Sequence, residues 1–128
     1  MGREILIDTN IAIGYVGNRL DIHLLKKLDR IFNGTYHLSV INKIEILGYP
    51  DLSSEEEQVF NLLINNAVLH PIDNAIIKKT IEIKKKYRIK LPDALIAATC
   101  LVYRLEILTF NLNDFKNIKG LSLYSIEG

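Results

Sequence analysis

Four carboxylates of this chain stand against apolar runs, where a charge is costly unless something pairs with it. Asp8 ends Glu4-Ile5-Leu6-Ile7 and leads straight into Thr9-Asn10, and Glu45 lies among the isoleucines of 40–47. Asp93 opens Pro92-Asp93-Ala94-Leu95-Ile96-Ala97-Ala98, and Asp114 follows Ile107-Leu108-Thr109 in the polar loop Asn111-Leu112-Asn113-Asp114. Taken singly, each has a plain explanation. Asp8 caps a helix, Glu45 is a solvated helix-edge acid, and Asp114 is a turn residue bonding its own backbone. Asp93 in a first helical turn gains about 0.3–1 kcal/mol from the helix dipole. Four such acids at corresponding ends of elements are harder to dismiss, because an uncompensated cluster repels itself. Converging carboxylates point to a hard cation that prefers oxygen ligands, such as Mg²⁺ or Mn²⁺.

The elements that would position them follow from local signals. Residues 4–8 read as a short, fully buried strand, because Ile5, Leu6 and Ile7 are consecutive rather than alternating. Asp8, Thr9 or Asn10 then caps a helix to about Gly17, and Asp21 caps another to about Phe32, stopped by Asn33-Gly34. Tyr36–Val40 is a second strand, leading into a helix that carries Glu45 and ends near Gly48-Tyr49-Pro50. Ser53 with Glu56, and Ser54 with Glu57, both fit a capping box ahead of Val59, Phe60, Leu62, Leu63 and Ile64. Ala67–Ile72 is a third strand, and Asp73 starts a helix with apolar positions Ile76, Ile77, Ile81 and Ile83. Pro92 suits the first turn of the next helix, which Arg104 closes favourably against the dipole. Glu106–Thr109 and Leu121–Ile126 supply the last two strands.

Strands alternating with helices, at spacings too long for hairpins, predict an α/β fold. Its sheet of about five strands is mainly parallel, with helices on both faces. Ligands of such sheets bind beyond the carboxyl ends of the strands. Asp8 and Asp114 come just after strands, Asp93 at a helix start, and Glu45 about a turn into the helix after strand two. All four are candidates for one edge of the sheet.

The 128 residues suit a single domain with a substantial core. Cys100, the lone cysteine, lies in an apolar helical pattern and reads as a small core residue. No stretch reaches the roughly 18 apolar residues that span a bilayer. Only Met1-Gly2-Arg3 precede the first strand, so no signal peptide is expected and the cytoplasm is the default location. A net charge of +1 gives no global pull toward nucleic acid or membrane, so polyanion binding must come from local patches.

The ordered set Ile7-Asp8-Thr9-Asn10, Ser39 six positions before Glu45, Leu91-Pro92-Asp93-Ala94-Leu95-Ile96-Ala97-Ala98, Leu108-Thr109-Phe110-Asn111 and Asp114-Phe115 resembles the PIN-domain family. It is most similar to the small single-domain VapC-type toxins of bacteria and archaea, and the match covers almost the whole chain. The resemblance implies a three-layer α/β/α sandwich and a metal-dependent ribonuclease. By matching positions, Asp8, Glu45, Asp93 and Asp114 would be the catalytic, metal-binding acids. Thr109 and Asn111 would be polar helpers, with Thr9 or Asn10 organising the first loop. It also implies a homodimer and a small antitoxin that blocks the acidic cleft. Some members carry an acid close after the threonine, where this chain has neutral Asn111. The fourth carboxylate role then rests on Asp114 alone, with a water-bridged contact open to it.

Phosphodiester cleavage needs a strong nucleophile in line with the leaving oxygen. No serine has a convincing base nearby, and His23, His37 and His70 are scattered without ligand-like spacing, each reading as a surface or strand residue. Water activated by divalent ions fills that role, with 5′-phosphate and 3′-hydroxyl products expected. The densest basic segment, Lys78 to Lys90, directly precedes Asp93. Lys84, Lys85, Lys86, Arg88 and Lys90 are its candidate RNA contacts, set against the plainer reading of a solvated helix face and loop. Tyr87 can stack on a base or simply pack.

Two other readings compete. A metal-dependent phosphatase would use Asp8 as nucleophile, but haloacid-dehalogenase-like enzymes need a second aspartate where Asn10 stands. A receiver domain would want paired early acids and a late lysine, and no Gly-rich phosphate loop exists. The remaining alternative is a non-catalytic module whose acids hold a structural ion or a basic partner.

Overall fold

The strand-forming tripeptide Ile5–Ile7 carries no polar residue, and the structure puts it at the centre of the sheet. The computed structural model describes residues 3–125. Within them, β1 (Ile5–Ile7), β2 (His37–Ser39), β3 (Val68–His70), β4 (Glu106–Leu108) and β5 (Ser122–Leu123) form one sheet of order β3-β2-β1-β4-β5. Every neighbouring pair is parallel. Around it lie α1 (Thr9–Val16), α2 (Ile22–Asn33), α3 (Val40–Leu47), α4 (Ser54–Asn65), α5 (Asn74–Lys86), α6 (Leu91–Tyr103) and α7 (Leu112–Phe115). None of the described helices is long and apolar enough to cross a membrane.

Strand alternation divides the core in two. Leu6 and Ile107, paired across β1 and β4, face a core shared with Ile76 and Ile83 of α5, Ala97 of α6 and Phe115 of α7. Ile7, Leu38 and Leu108 point the other way, against Ile11, Leu28, Ile46 and Phe60 of α1 to α4. The result is the expected α/β/α sandwich. The chain steps outward from β1 through β2 to β3, then returns to place β4 on the other side of β1. This reversal opens a crevice beyond the carboxyl ends of β1 and β4, where open parallel sheets bind their ligands. Asp8 and Thr109 are the first residues past those two ends.

Several elements differ from expectation. Val40 starts α3 instead of ending β2, because Ser39 closes a capping box with Asn42 and draws the helix back to it. Asn111 to Asp114 are not a loop: Leu112–Phe115 form a helical turn, pinned by the fully buried Phe115. The last strand shrinks to Ser122–Leu123, followed by a bond from Tyr124 N to Ile107 O at 2.9 Å; Ile126 lies outside the described residues. On α5 the buried stripe is Ile76, Thr80 and Ile83, while Ile77 and Ile81 stay exposed. The four isoleucines span too wide an arc for one contact, and Thr80 fits because its hydroxyl bonds the Ile76 carbonyl at 2.7 Å.

The histidines are also less scattered than their spacing suggests. His37 Nδ1 and His70 Nε2, from adjacent strands, are 2.8 Å apart. Glu4 Oε2 lies 3.2 Å from His37 Nε2, within ion-pairing range but off the line of a hydrogen bond. His70 also rests against the ring of Tyr103, at the end of α6 opposite Asp93. Ten residues of helix, about 15 Å, therefore separate this cluster from the acids.

Candidate active site

Asp8 sits where β1 ends, its own N–H donating to the Leu108 carbonyl at 2.9 Å. It is only 5% exposed. Its Oδ1 accepts from Thr9 N at 2.9 Å and its Oδ2 from the Thr109 hydroxyl at 2.7 Å. Burial pushes its carboxyl above the usual range and the Thr109 and Thr9 bonds partly offset this, while the charges of Glu45 and Asp114 raise it further.

The hydroxyl of Thr109 spends its one proton on Asp8 and accepts from Asn111 N at 2.9 Å and Asn10 Nδ2 at 3.4 Å. Asn10 Oδ1 in turn accepts from Phe110 N at 3.2 Å, stitching the loop after β4 to α1. A parallel chain orients Glu45. Its Oε1 accepts from the Thr9 hydroxyl at 2.7 Å, and Thr9 accepts from Asn42 Nδ2 at 3.1 Å. Asn42 is fully buried, with its Oδ1 taking the Ser39 N–H at 2.8 Å. Each hydroxyl thus presents its proton to a carboxylate because a neighbouring amide occupies its lone pairs.

Asp93, in the first turn of α6, is half-buried. Burial first, then the charges of Asp8, Asp114 and Glu45, push its carboxyl up to about 6, against a smaller pull from Lys90. Acids from three other segments therefore act on Asp93. Asp8, Glu45 and Asp93 share a hollow of about 390 Å³ with Thr9, Asn10 and Asn111. Asp93 also lines a second hollow, of about 420 Å³, and Asp114 stands there rather than in the first. Asp93 is thus the partition between two chambers. A third hollow of about 430 Å³ backs onto Thr109 from the α2 side and holds none of the four acids. The chemistry lies with the acids, not with this third hollow.

Among the described residues, no three acids, histidines or cysteines form a ready-made metal cage. The donors nevertheless suit a hard cation. All are oxygens, their repulsion calls for positive charge, and Mg²⁺ characteristically keeps several waters while using only one or two carboxylates. Asp8, Glu45 and Asp93 could hold such an ion from one hollow, with Asp114 beside Asp93 in the next.

The basic segment divides. Arg88 and Lys90 line the second hollow; Lys85 and Lys86 line neither, and Lys84 Nζ is engaged by the Ile89 carbonyl at 2.6 Å. Tyr87 accepts from Lys119 N at 3.0 Å, which fixes its ring. Sequence reasoning missed Asn42 altogether, and also Arg19, a cation in the wall of the first hollow. The Ser39-to-Asn42 capping spacing was the one available signal for Asn42. Arg19 gave none, because it belongs to a turn between helices.

The sequence matches the PIN domain over residues 5–121, and the chain belongs to that family. No curated protein matches it significantly. A chain of a toxin-antitoxin complex from Klebsiella pneumoniae is similar at a TM-score of 0.79 and 26% identity, covering 97% of this chain and 98% of that one. A chain of DNA-bound VapBC from Salmonella typhimurium gives 0.80 and 20%, covering 98% and 99%. One from FitAcB of Neisseria gonorrhoeae gives 0.75 and 22%, covering 95% and 97%. These last two likenesses speak for the fold alone.

Proposed function

We propose that this chain is a metal-dependent ribonuclease, the toxin of a toxin–antitoxin pair, with residues 1–128 acting as one domain. The observation that carries the reading is the convergence of Asp8, Glu45 and Asp93 on one hollow at the β1–β4 crevice, with Asp114 beside Asp93 in the next. Membership of the PIN family and likeness to chains of toxin–antitoxin complexes support it. Bound Mg²⁺ or Mn²⁺ supplies an activated water and neutralises charge on the phosphate.

The rest belongs to the chain. Thr109 and Thr9 aim Asp8 and Glu45, and the Thr109 bond favours the ionised form of Asp8. Arg19 on one side of Asp93, and Arg88 and Lys90 on the other, attract the polyanion to an otherwise acidic pocket. A small antitoxin with a basic side chain would compete for the same carboxylates. Val59 and Leu62 of α4, and Ile77 and Ile81 of α5, offer exposed apolar surface for a homodimer or an antitoxin. The reading places the protein in the cytoplasm, where its RNA substrate is.

The test is an end-labelled RNA incubated with protein and Mg²⁺, with and without excess EDTA. The reading expects cleavage only with free Mg²⁺, leaving 5′-phosphate ends. Cleavage that survives EDTA, or no cleavage under any divalent ion, overturns it.

A further inference from the structure

The second hollow contains more than the acidic site needs. Besides Asp93 and Asp114, two amide side chains, Asn113 and Asn117, line it with Arg88 and Lys90. Both asparagines are exposed, Asn113 within the turn of α7 and Asn117 just past its end. Among the described residues neither makes a side-chain hydrogen bond or ion pair, so their donors and acceptors remain for a ligand. The apolar part of the lining is Tyr87, Ile89 and Ile118. Ile118 is buried, and the Tyr87 hydroxyl is tied to the Lys119 backbone. Tyr87 also packs partly against the core, with Lys86 Nζ 5.8 Å from its ring centroid, so the ring is positioned before any base arrives.

We infer that this hollow is a nucleotide subsite that takes an unpaired purine next to the cleaved bond, with Asn113 and Asn117 reading the base and Arg88 and Lys90 holding its phosphate. The inference rests on the ribonuclease reading and deepens it. The volume, about 420 Å³, falls within the range of small-ligand pockets. An amide side chain such as Asn113 or Asn117 matches the adjacent donor and acceptor of adenine, N6 and N7. A pyrimidine lacks the N7 edge both would use. Stacking on Tyr87 requires a base free of its helix, so the substrate is single-stranded at this point. Asp93 lines both chambers, so the strand passes over it, one nucleotide in the purine subsite and its neighbour in the chamber of Asp8 and Arg19. The acids bear on the scissile phosphate between them.

Two readouts test this. In the first, an RNA with a randomised single-stranded stretch is cut by the wild type and by the Asn113→Ala/Asn117→Ala double variant, and the ends are sequenced. The wild type is expected to favour purines at one nucleotide beside the cut. The double variant should flatten that preference about tenfold while preferences at other positions stay as they were. In the second, Asp8→Asn protein, altered only in the other chamber, is titrated with fluorescent oligoadenylate and oligouridylate. Oligoadenylate should bind about tenfold more tightly, and adding the two asparagine changes should abolish the difference.

Wild-type cleavage with no base preference, or a preference the double variant keeps, overturns the subsite alone. Purine-selective binding in a protein that never cleaves RNA overturns the ribonuclease reading and leaves the subsite standing. Neither cleavage nor selective binding overturns both.

Discussion

The Thr109 hydroxyl donates to Asp8 Oδ2 at 2.7 Å, joining residues 101 positions apart at the carboxyl ends of β4 and β1. This bond favours the ionised form of a nearly buried carboxylate and offsets part of the cost of leaving water. Thr109→Val keeps the shape and removes the donor. Loss of such a supporting bond to a metal-binding group typically costs about 10–100-fold in activity or metal affinity. Thr109→Ser should restore most of the loss. Steady-state cleavage and Mn²⁺ affinity, measured for both variants, check the pair together.

Asn42 reaches neither ion nor substrate, yet it orients Thr9 and through it Glu45. Asn42→Ala leaves the Ser39 N–H buried without its acceptor, which costs about 1–3 kcal/mol of stability. Cleavage should also fall, because the Thr9 proton is no longer directed at Glu45. Denaturant unfolding and kcat report the two effects separately. A variant that lost stability but kept full kcat would confine Asn42 to a packing role.

Asp93 and Asp8 make stability depend on pH in a direction opposite to that of a salt-bridged acid. Both hold protons more tightly in the folded protein than in the unfolded chain. The metal-free protein should therefore lose stability as pH rises from 3.8 to about 6. Asp93→Asn removes its part of this penalty. The gain is on the order of 1 kcal/mol, discounted for solvent screening of a half-buried group, and Tm at pH 7 should rise by a few degrees. Cleavage should show the converse, increasing with pH through about 6 as Asp93 loses its proton to solvent and its carboxylate becomes free to hold a metal ion. Melting curves in EDTA and a pH–rate profile in Mg²⁺ check both halves.

The parallel sheet was legible because its strands are short apolar runs, while Asp73, Ser53 and Asp21 mark helix starts that the structure keeps. Asp8 and Asp93 could be picked out because a carboxylate abutting an unbroken apolar run needs a reason. Asp114 was found in the right neighbourhood but on the wrong element, since a single helical turn has too few residues to show a period. Asn42, among isoleucines, has no periodic signal that it is buried, and only its partners reveal what it does. The basic segment misled in part. Charge density along the chain cannot tell Lys84, which fastens its own turn, from Arg88 and Lys90, which face the acids. His37 and His70 meet only because β2 and β3 are neighbours, a pairing that sequence separation conceals.

Titration of the protein with Mn²⁺ by calorimetry addresses the shared ion directly, independent of any choice of RNA. Wild-type protein should bind at the acidic crevice, and Asp8→Asn and Asp93→Asn should each weaken binding by about tenfold or more while remaining folded. Unchanged affinity in both variants would contradict the assignment of these carboxylates to a common metal site.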